Sequence, residues 1–127
     1  MTSIAIHPVV PRLQATFQRL QEETKAMQTF GATGLVVRVR LEGDDQEILV
    51  DGRLQEVFWD PRPGRADLEL HLPADLLHRI LMEEASFRKS FMNGDIRSQG
   101  NVFRAMPFAD LLQAARSIYQ DMGPRAP

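Results

Sequence analysis

Leu13, Phe17, Leu20, Thr24, Met27 and Phe30 follow one another at steps of four, three, four, three and three. That spacing predicts one amphipathic helix from about Pro8 to Thr29. Pro8 and Pro11 suit its first turn, where a missing N–H costs no hydrogen bond, and Gly31 and Gly34 end it. The period then switches to two. Leu35, Val37, Val39 and Leu41 alternate with Val36, Arg38, Arg40 and Glu42, a strand with one apolar face. Glu42-Gly43-Asp44-Asp45 reads as a turn, and Gln46 to Val50 as a second strand. Asp51-Gly52 is a two-residue hairpin signal that places Leu49 opposite Leu54 in a third strand, Leu54 to Asp60. Ile48, Val50, Val57 and Trp59 then share the other face, so something covers each face of this hairpin.

Asp60-Pro61-Arg62-Pro63-Gly64 is a rigid surface loop, and Ala66 to Leu72 is the fourth strand, with Leu68, Leu70 and Leu72 inward. Pro73 opens a short helix carrying Leu76, Leu77, Ile80 and Leu81 on one face. A second short helix, about Ala85 to Met92, sets Phe87 and Phe91 at i and i+4 and stops at the left-handed cap Asn93-Gly94. Asp95 to Gln99 is a brief strand. Asn101 caps a last helix with Phe103, Met106, Leu111, Leu112, Ala115, Ile118 and Tyr119. Pro107 either kinks that helix or moves its start to about Pro107. The order is helix, four-strand meander, two short helices, strand, helix. This is an α+β domain with a five-stranded, mainly antiparallel sheet covered by helices.

With 127 residues the chain is one domain, 1–127, and its end from 121 to 127 is expected to fray. Fifteen basic against seventeen acidic residues give a net charge of −2, which supplies no global attraction to nucleic acid. The absence of cysteine excludes disulfides and thiolate chemistry. The start, MTSIAIHPVVPRLQ, is not a secretory signal, and no stretch nears the ~20 apolar residues of a membrane span, so the expected location is the cytoplasm.

The segment from Asp67 to Ala105 resembles the C-terminal half of the sterol carrier protein two family. Leu68 and Leu70 match the family's strand, and Leu76, Leu77 and Leu81 its leucine-rich helix. Phe91 and Gly94 match its Phe-x-x-Gly step, with Ile96 and Gly100 after it. The resemblance is strongest over 66–119. Upstream, back to Gly34, only order and spacing agree. It implies a tunnel between sheet and later helices that binds sterols, acyl chains or related lipids, alone or as a module serving an enzyme. Pro107 departs from the family's pattern, and the final Arg-Ala-Pro is not the peroxisomal signal that some members carry.

On that basis the expected ligand-binding wall is Leu76, Ile80, Phe87, Phe91, Phe103, Met106, Leu111, Ala115 and Ile118. Phe and Met suit adaptable apolar surfaces, although the same stripes serve equally as ordinary core. No nucleophile, base and orienting group converge, and no phosphate loop or dinucleotide fingerprint occurs, so no catalytic residue and no cofactor are expected. Asp67, Glu69 and His71 at spacing two admit a weak metal site, but a solvated strand face is the plainer reading, and no metal is expected. Glu83-Glu84 reads as a solvated helix end. His78 could reach a ligand head group at a tunnel mouth, but a surface or half-buried histidine is the plainer reading. Arg38 and Arg40 face an anionic head group, a dimer partner or their own charge partners. The expected partner is a hydrophobic small molecule (lipid, fatty acid or sterol-like), with transient membrane contact, a homodimer as an option, and no nucleic acid. The alternatives are a protein-interaction or dimerisation module, or an accessory domain presenting lipid or quinone-precursor substrates to a separate enzyme.

Overall fold

The computed structural model describes residues 9–22, 24–43, 46–60, 63–100 and 102–122, without the side chains of Thr24 and Phe103. Pro8, the Asp44-Asp45 and Pro61-Arg62 steps, Asn101 and the chain end from 123 lie outside that set. The expected first helix is described on both sides of Glu23, which lies outside the described residues, as α1 (Val10–Glu22) and α2 (Thr24–Gly31). The apolar stripe is continuous over both: Leu13, Phe17, Leu20, Met27 and Phe30 are all buried.

Strands β1 (Val36–Glu42), β2 (Gln46–Asp51), β3 (Glu56–Phe58), β4 (Leu68–Pro73) and β5 (Arg97–Gly100) form one sheet in the order β3-β2-β1-β4-β5. The first three make a meander. The fourth does not continue it, because β4 pairs with β1, and in parallel. All other pairings are antiparallel, so the sheet is mainly antiparallel as expected. Val37, Val39 and Leu41 share one buried face with Ile48, Val50, Leu68, Leu70 and Leu72. Helices α1, α2, α3 (Ala74–Leu81) and α5 (Ala105–Met122) share the core with that face. Phe17 of α1 meets Trp59 edge-on at 6.2 Å, and Gln21 Oε1 accepts from the Val57 N–H of edge strand β3 at 2.6 Å.

The β2–β3 connection corrects the Asp-Gly reading. Asp51 pairs with Glu56 and Leu49 with Phe58, so the loop has four residues and Leu54 is exposed rather than opposite Leu49. Asp51 Oδ1 accepts from the N–H groups of Arg53 and Leu54 at 2.9 and 3.2 Å. Gly52 is there for closeness instead of a positive φ. Its N–H donates to Leu35 O at 2.8 Å, and a Cβ would stand 2.6 Å from that oxygen and 3.1 Å from the Phe30 ring.

Helix α4 (Phe87–Met92) is capped by Ser86, whose Oγ accepts from Lys89 N at 3.2 Å, and it ends at Gly94 with φ 84° as expected. A single 3₁₀ turn, Val102–Arg104, leads into α5. Pro107 lies in the first turn of α5, where its missing N–H has no helical partner to lose, so of the two alternatives the shifted start is the right one.

Tyr119, fully buried, joins three helices. Its hydroxyl pairs with His78 Nδ1 of α3. Its carbonyl, among the last of α5, accepts from Arg12 of α1 at 2.7 and 3.1 Å, and the same guanidinium lies 3.9 Å from the ring centroid. Gln120 donates to Leu81 O at 2.9 Å, closing α3 against α5.

Two outcomes follow from this packing. Gly52→Ala is expected to destabilise the domain by about 1–3 kcal/mol, since the added carbon meets backbone and an aromatic ring. A chemical-denaturation midpoint equal to wild type would refute that reading. Burial pushes the Tyr119 phenol up to about 12, with Arg12 opposing and Asp75 adding to the shift. The folded state thus holds its proton over a window, from about pH 10 to 12, in which the unfolded chain has lost it. Stability is fully present below about pH 10 and falls by about 2–3 kcal/mol as pH rises through that window. Tyr119 is the sole tyrosine, so near-UV phenolate absorbance reads it directly. A midpoint near pH 10 with the fold intact would show that the ring is not sealed.

Candidate functional site

Helix α5 presents three different stripes. Phe108, Leu111, Ala115 and Tyr119 are buried in the core. Pro107, Leu111, Ala114 and Ile118 face α2 across a groove of about 570 Å³. Ala105, Ala109, Leu112 and Arg116 face the end of α3 and α4 across a larger cleft of about 790 Å³. Ala105 and Ala109 are small, and their short side chains are what leave the larger space open.

The inner wall of that cleft is apolar, with Ile80, Phe87, Phe91, Ala105 and Leu112 along it. Phe87 anchors the wall, its ring 6.0 Å from Phe91 and 6.2 Å from Phe108. One end is rimmed by Met92, Val102 and Met106. The exposed large apolar side chains among the described residues are these three and Leu54. The other end is polar, with Glu83, Glu84, Gln113 and Arg116.

Glu83 closes α3 with φ 63°. Glu84 N–H donates to Arg79 O at 2.7 Å and Glu83 N–H to Ile80 O at 3.1 Å, the paired bonds of a Schellman ending. Glycine normally fills this position, and a side chain there costs about 1 kcal/mol or more. The Glu83 carboxylate accepts from Gln120 Nε2 at 3.3 Å and lies 3.9 Å from Arg116 Nη1, too far for a hydrogen bond. Arg116 Nε is buried and has no hydrogen-bond partner.

Eight of the nine expected wall residues divide among three places. Ile80, Phe87, Phe91 and Met106 line the larger cleft. Leu111 and Ile118 line the groove against α2. Leu76 and Ala115 are buried in the core, and the Phe103 side chain lies outside the described set. The open volume also differs in place from the expected tunnel between sheet and C-terminal helices. No strand residue lines the cleft among the described residues, because Phe17, Leu20, Met27, Phe108 and Tyr119 fill the layer over the sheet. Ala105, Ala109, Leu112 and Arg116 were missed. Their i, i+4, i+7, i+11 spacing is visible in the sequence, but nothing in it separates this stripe of α5 from the neighbouring core stripe.

The charged candidates lie elsewhere. Arg38 is buried on the outer sheet face, its Nε 3.0 Å from Glu47 Oε2 and its Nη1 3.3 Å from Glu69 Oε2, and it donates to Gly64 O at 3.1 Å. Arg40 reaches Glu47 Oε1 at 3.3 Å, so of the readings for these two arginines, pairing within the sheet is the one observed. His71 Nε2 is 3.3 Å from Glu69 Oε1 but is misaligned for a hydrogen bond. Among the described residues no group of three or more His, Asp or Glu is arranged to hold a metal ion. His78 is half-buried and engaged by Tyr119, outside the residues lining the cleft. Among the described residues no helix is long and apolar enough to cross a membrane.

Comparison with known proteins adds to this geometry. A family model for the SCP-2 sterol transfer family matches residues 13–113. No curated protein matches the chain. Among solved structures, sterol carrier protein 2 from Yarrowia lipolytica in its apo form is similar at 15% identity and a TM-score of 0.63, over 91% of this chain and 98% of that one. The sterol carrier protein domain 2 of Helicoverpa armigera is similar at 18% identity and a TM-score of 0.64, over 91% and 96%. The ubiquinone synthesis protein UbiJ-SCP2 is similar at 17% identity and a TM-score of 0.62, over 97% and 100%. At these identities the likeness is one of fold. The family match itself spans well over half of the sequence and takes in every strand and the start of α5. This α+β chain belongs to the SCP-2 sterol transfer family.

Proposed function

We propose that this domain is a non-catalytic carrier that holds a lipid-like molecule in the cleft between α3, α4 and α5. The observation that carries the reading is the cleft itself, about 790 Å³ with Ile80, Phe87, Phe91 and Leu112 on its inner wall. A volume of that size is in the range of small-molecule sites, which runs to roughly 1,000 Å³. Each methylene buried contributes about 0.8 kcal/mol, so ten of them give roughly 8 kcal/mol before association costs of several kcal/mol. Chains longer than that are then needed for micromolar affinity. A flat apolar patch would favour a protein-interaction module, and a cleft with an apolar wall favours the carrier.

Met92, Val102 and Met106, respectively 78%, 41% and 47% exposed, give the ligand an apolar exit. Arg88, beside Met106, and Lys89 flank it, so the exit suits a brief contact with an anionic bilayer surface. A second reading makes the domain an accessory that presents its lipid to a separate enzyme. The full-length likeness to a ubiquinone synthesis protein favours it. In both readings the cleft has the same task and only the recipient differs.

Native mass spectrometry of gently purified protein, with lipid extraction of the same sample, is expected to show a co-purifying lipid. An isoprenoid quinone precursor would select the accessory reading. Bare protein that no lipid stabilises would overturn both. Ala109→Phe fills the cleft from α5 without touching the core stripe. It is expected to weaken lipid binding at least about tenfold and leave the melting temperature of ligand-free protein within a few degrees of wild type. Binding of a fluorescent fatty acid at wild-type strength would place the ligand elsewhere.

A further inference from the structure

The cleft has a direction. From Met106 to Arg116 is ten residues of α5, about 15 Å of helix, and the lining changes from apolar to charged over that length. Resting on the carrier reading, we propose that Glu83 and Arg116 form a head-group clamp that selects a lipid with an uncharged hydroxyl head and points its tail toward Met92, Val102 and Met106.

Two independent features mark the polar end. Arg116 keeps a buried Nε without a partner, and its guanidinium has only a loose contact at 3.9 Å to Glu83. The side chain as a whole is 34% exposed, so a turn of the guanidinium would bring this unpaired donor to a head group in the cleft. Glu83 occupies the left-handed ending of α3, where glycine fits best, so a carboxylate is kept there at a conformational cost. Local strain of this kind is retained where a side chain has a task.

The charges then choose the head group. A carboxylate or phosphate would bring further negative charge to Glu83 and Glu84, against Arg116 at that end. An ammonium would be drawn to the two carboxylates but, as a donor only, could accept nothing from the Arg116 guanidinium and would face its like charge. A hydroxyl both donates and accepts, so it gives its proton to Glu83 and receives a hydrogen bond from Arg116 with no like-charge contact. A small swing of the loosely held guanidinium is enough to make that bond.

The test compares dodecanol with laurate, equal chains with different heads, by displacement of a fluorescent lipid from the full chain. Wild type is expected to bind dodecanol roughly tenfold more tightly than laurate. Glu83→Gln is expected to bring the two close to parity by removing the like charge. Glu83→Gly separates a binding role from a structural one. It relieves the left-handed strain and raises the melting temperature by a few degrees, yet it is expected to weaken dodecanol binding several-fold. Laurate bound as tightly as dodecanol by wild type, or dodecanol bound at full strength by Glu83→Gly, overturns the clamp and leaves the carrier reading in place. If neither compound displaces the reporter from wild type, the clamp and the carrier reading fall together.

Discussion

Strand β4 runs parallel to β1, and Asp67 fixes the register of that pairing at its first step. Its carboxylate accepts from the Val36 N–H at 2.9 Å while its own N–H donates to Val36 O at 2.8 Å. Its carbonyl leaves so little room that a Cβ on Gly100 would stand 2.4 Å away, which brings β5 in against the same point. Parallel pairing requires the chain to leave β3 at one edge, cross the sheet and re-enter beside β1. Once that register is set, Leu72 lies beside Leu41 and Pro73 beside Glu42. The following residue begins α3, so the helix bounding the cleft starts where the strand pairing ends. Tyr119 then locks α5 to α3 and α1, and the walls of the cleft are in position.

Helix α5 shows how one element serves both core and site. Its buried stripe carries Phe108, Leu111, Ala115 and Tyr119, and its cleft stripe carries Ala105, Ala109, Leu112 and Arg116. The two stripes are one helical position apart, about 100° around the axis, so bulk on one does not constrain bulk on the other. Stability is assigned to the aromatic side chains and open space to the alanines. On the carrier reading, substitution of the half-buried Ala109 therefore alters lipid binding more than folding, whereas Ala105 and Leu112 of the same stripe are also buried.

What the sequence made legible follows the same division. Alternation in Leu68, Leu70 and Leu72 specified β4 and its inward face, since period two depends on local geometry alone. It carried nothing about which strand β4 would join, because pairing across a crossover is a long-range choice, and the expected meander was wrong at that step. Asp51-Gly52 misled for a related reason. Gly52 answers to Phe30 and Leu35, which are remote in sequence, and the turn is built by the Asp51 side chain. The site was legible only in part. Apolar periodicity put Ile80, Phe87 and Phe91, which line the cleft, in one set with Leu76 and Ala115, which lie in the core, because a core stripe and a cleft wall have the same spacing. Glu83 and Arg116 stood out only once a backbone angle and an unpaired nitrogen could be seen.

Magnitudes explain why the open volume lies between helices at the surface and not sealed over the sheet. A closed, empty apolar cavity of about 790 Å³ would cost roughly 19 kcal/mol at ~24 cal/mol per Å³. That exceeds the roughly 5–15 kcal/mol by which domains of this kind are stable. A chain of this length cannot keep such a space shut and vacant. The fold meets that limit by filling the layer over the sheet with Phe17, Leu20, Met27 and Phe108 and by moving the space outward. There, water enters past the charged rim of Glu83, Glu84 and Arg116. An apolar wall wetted in this way is unfavourable by an amount that a bound apolar chain would recover, which is the physical ground for the proposed carrier role.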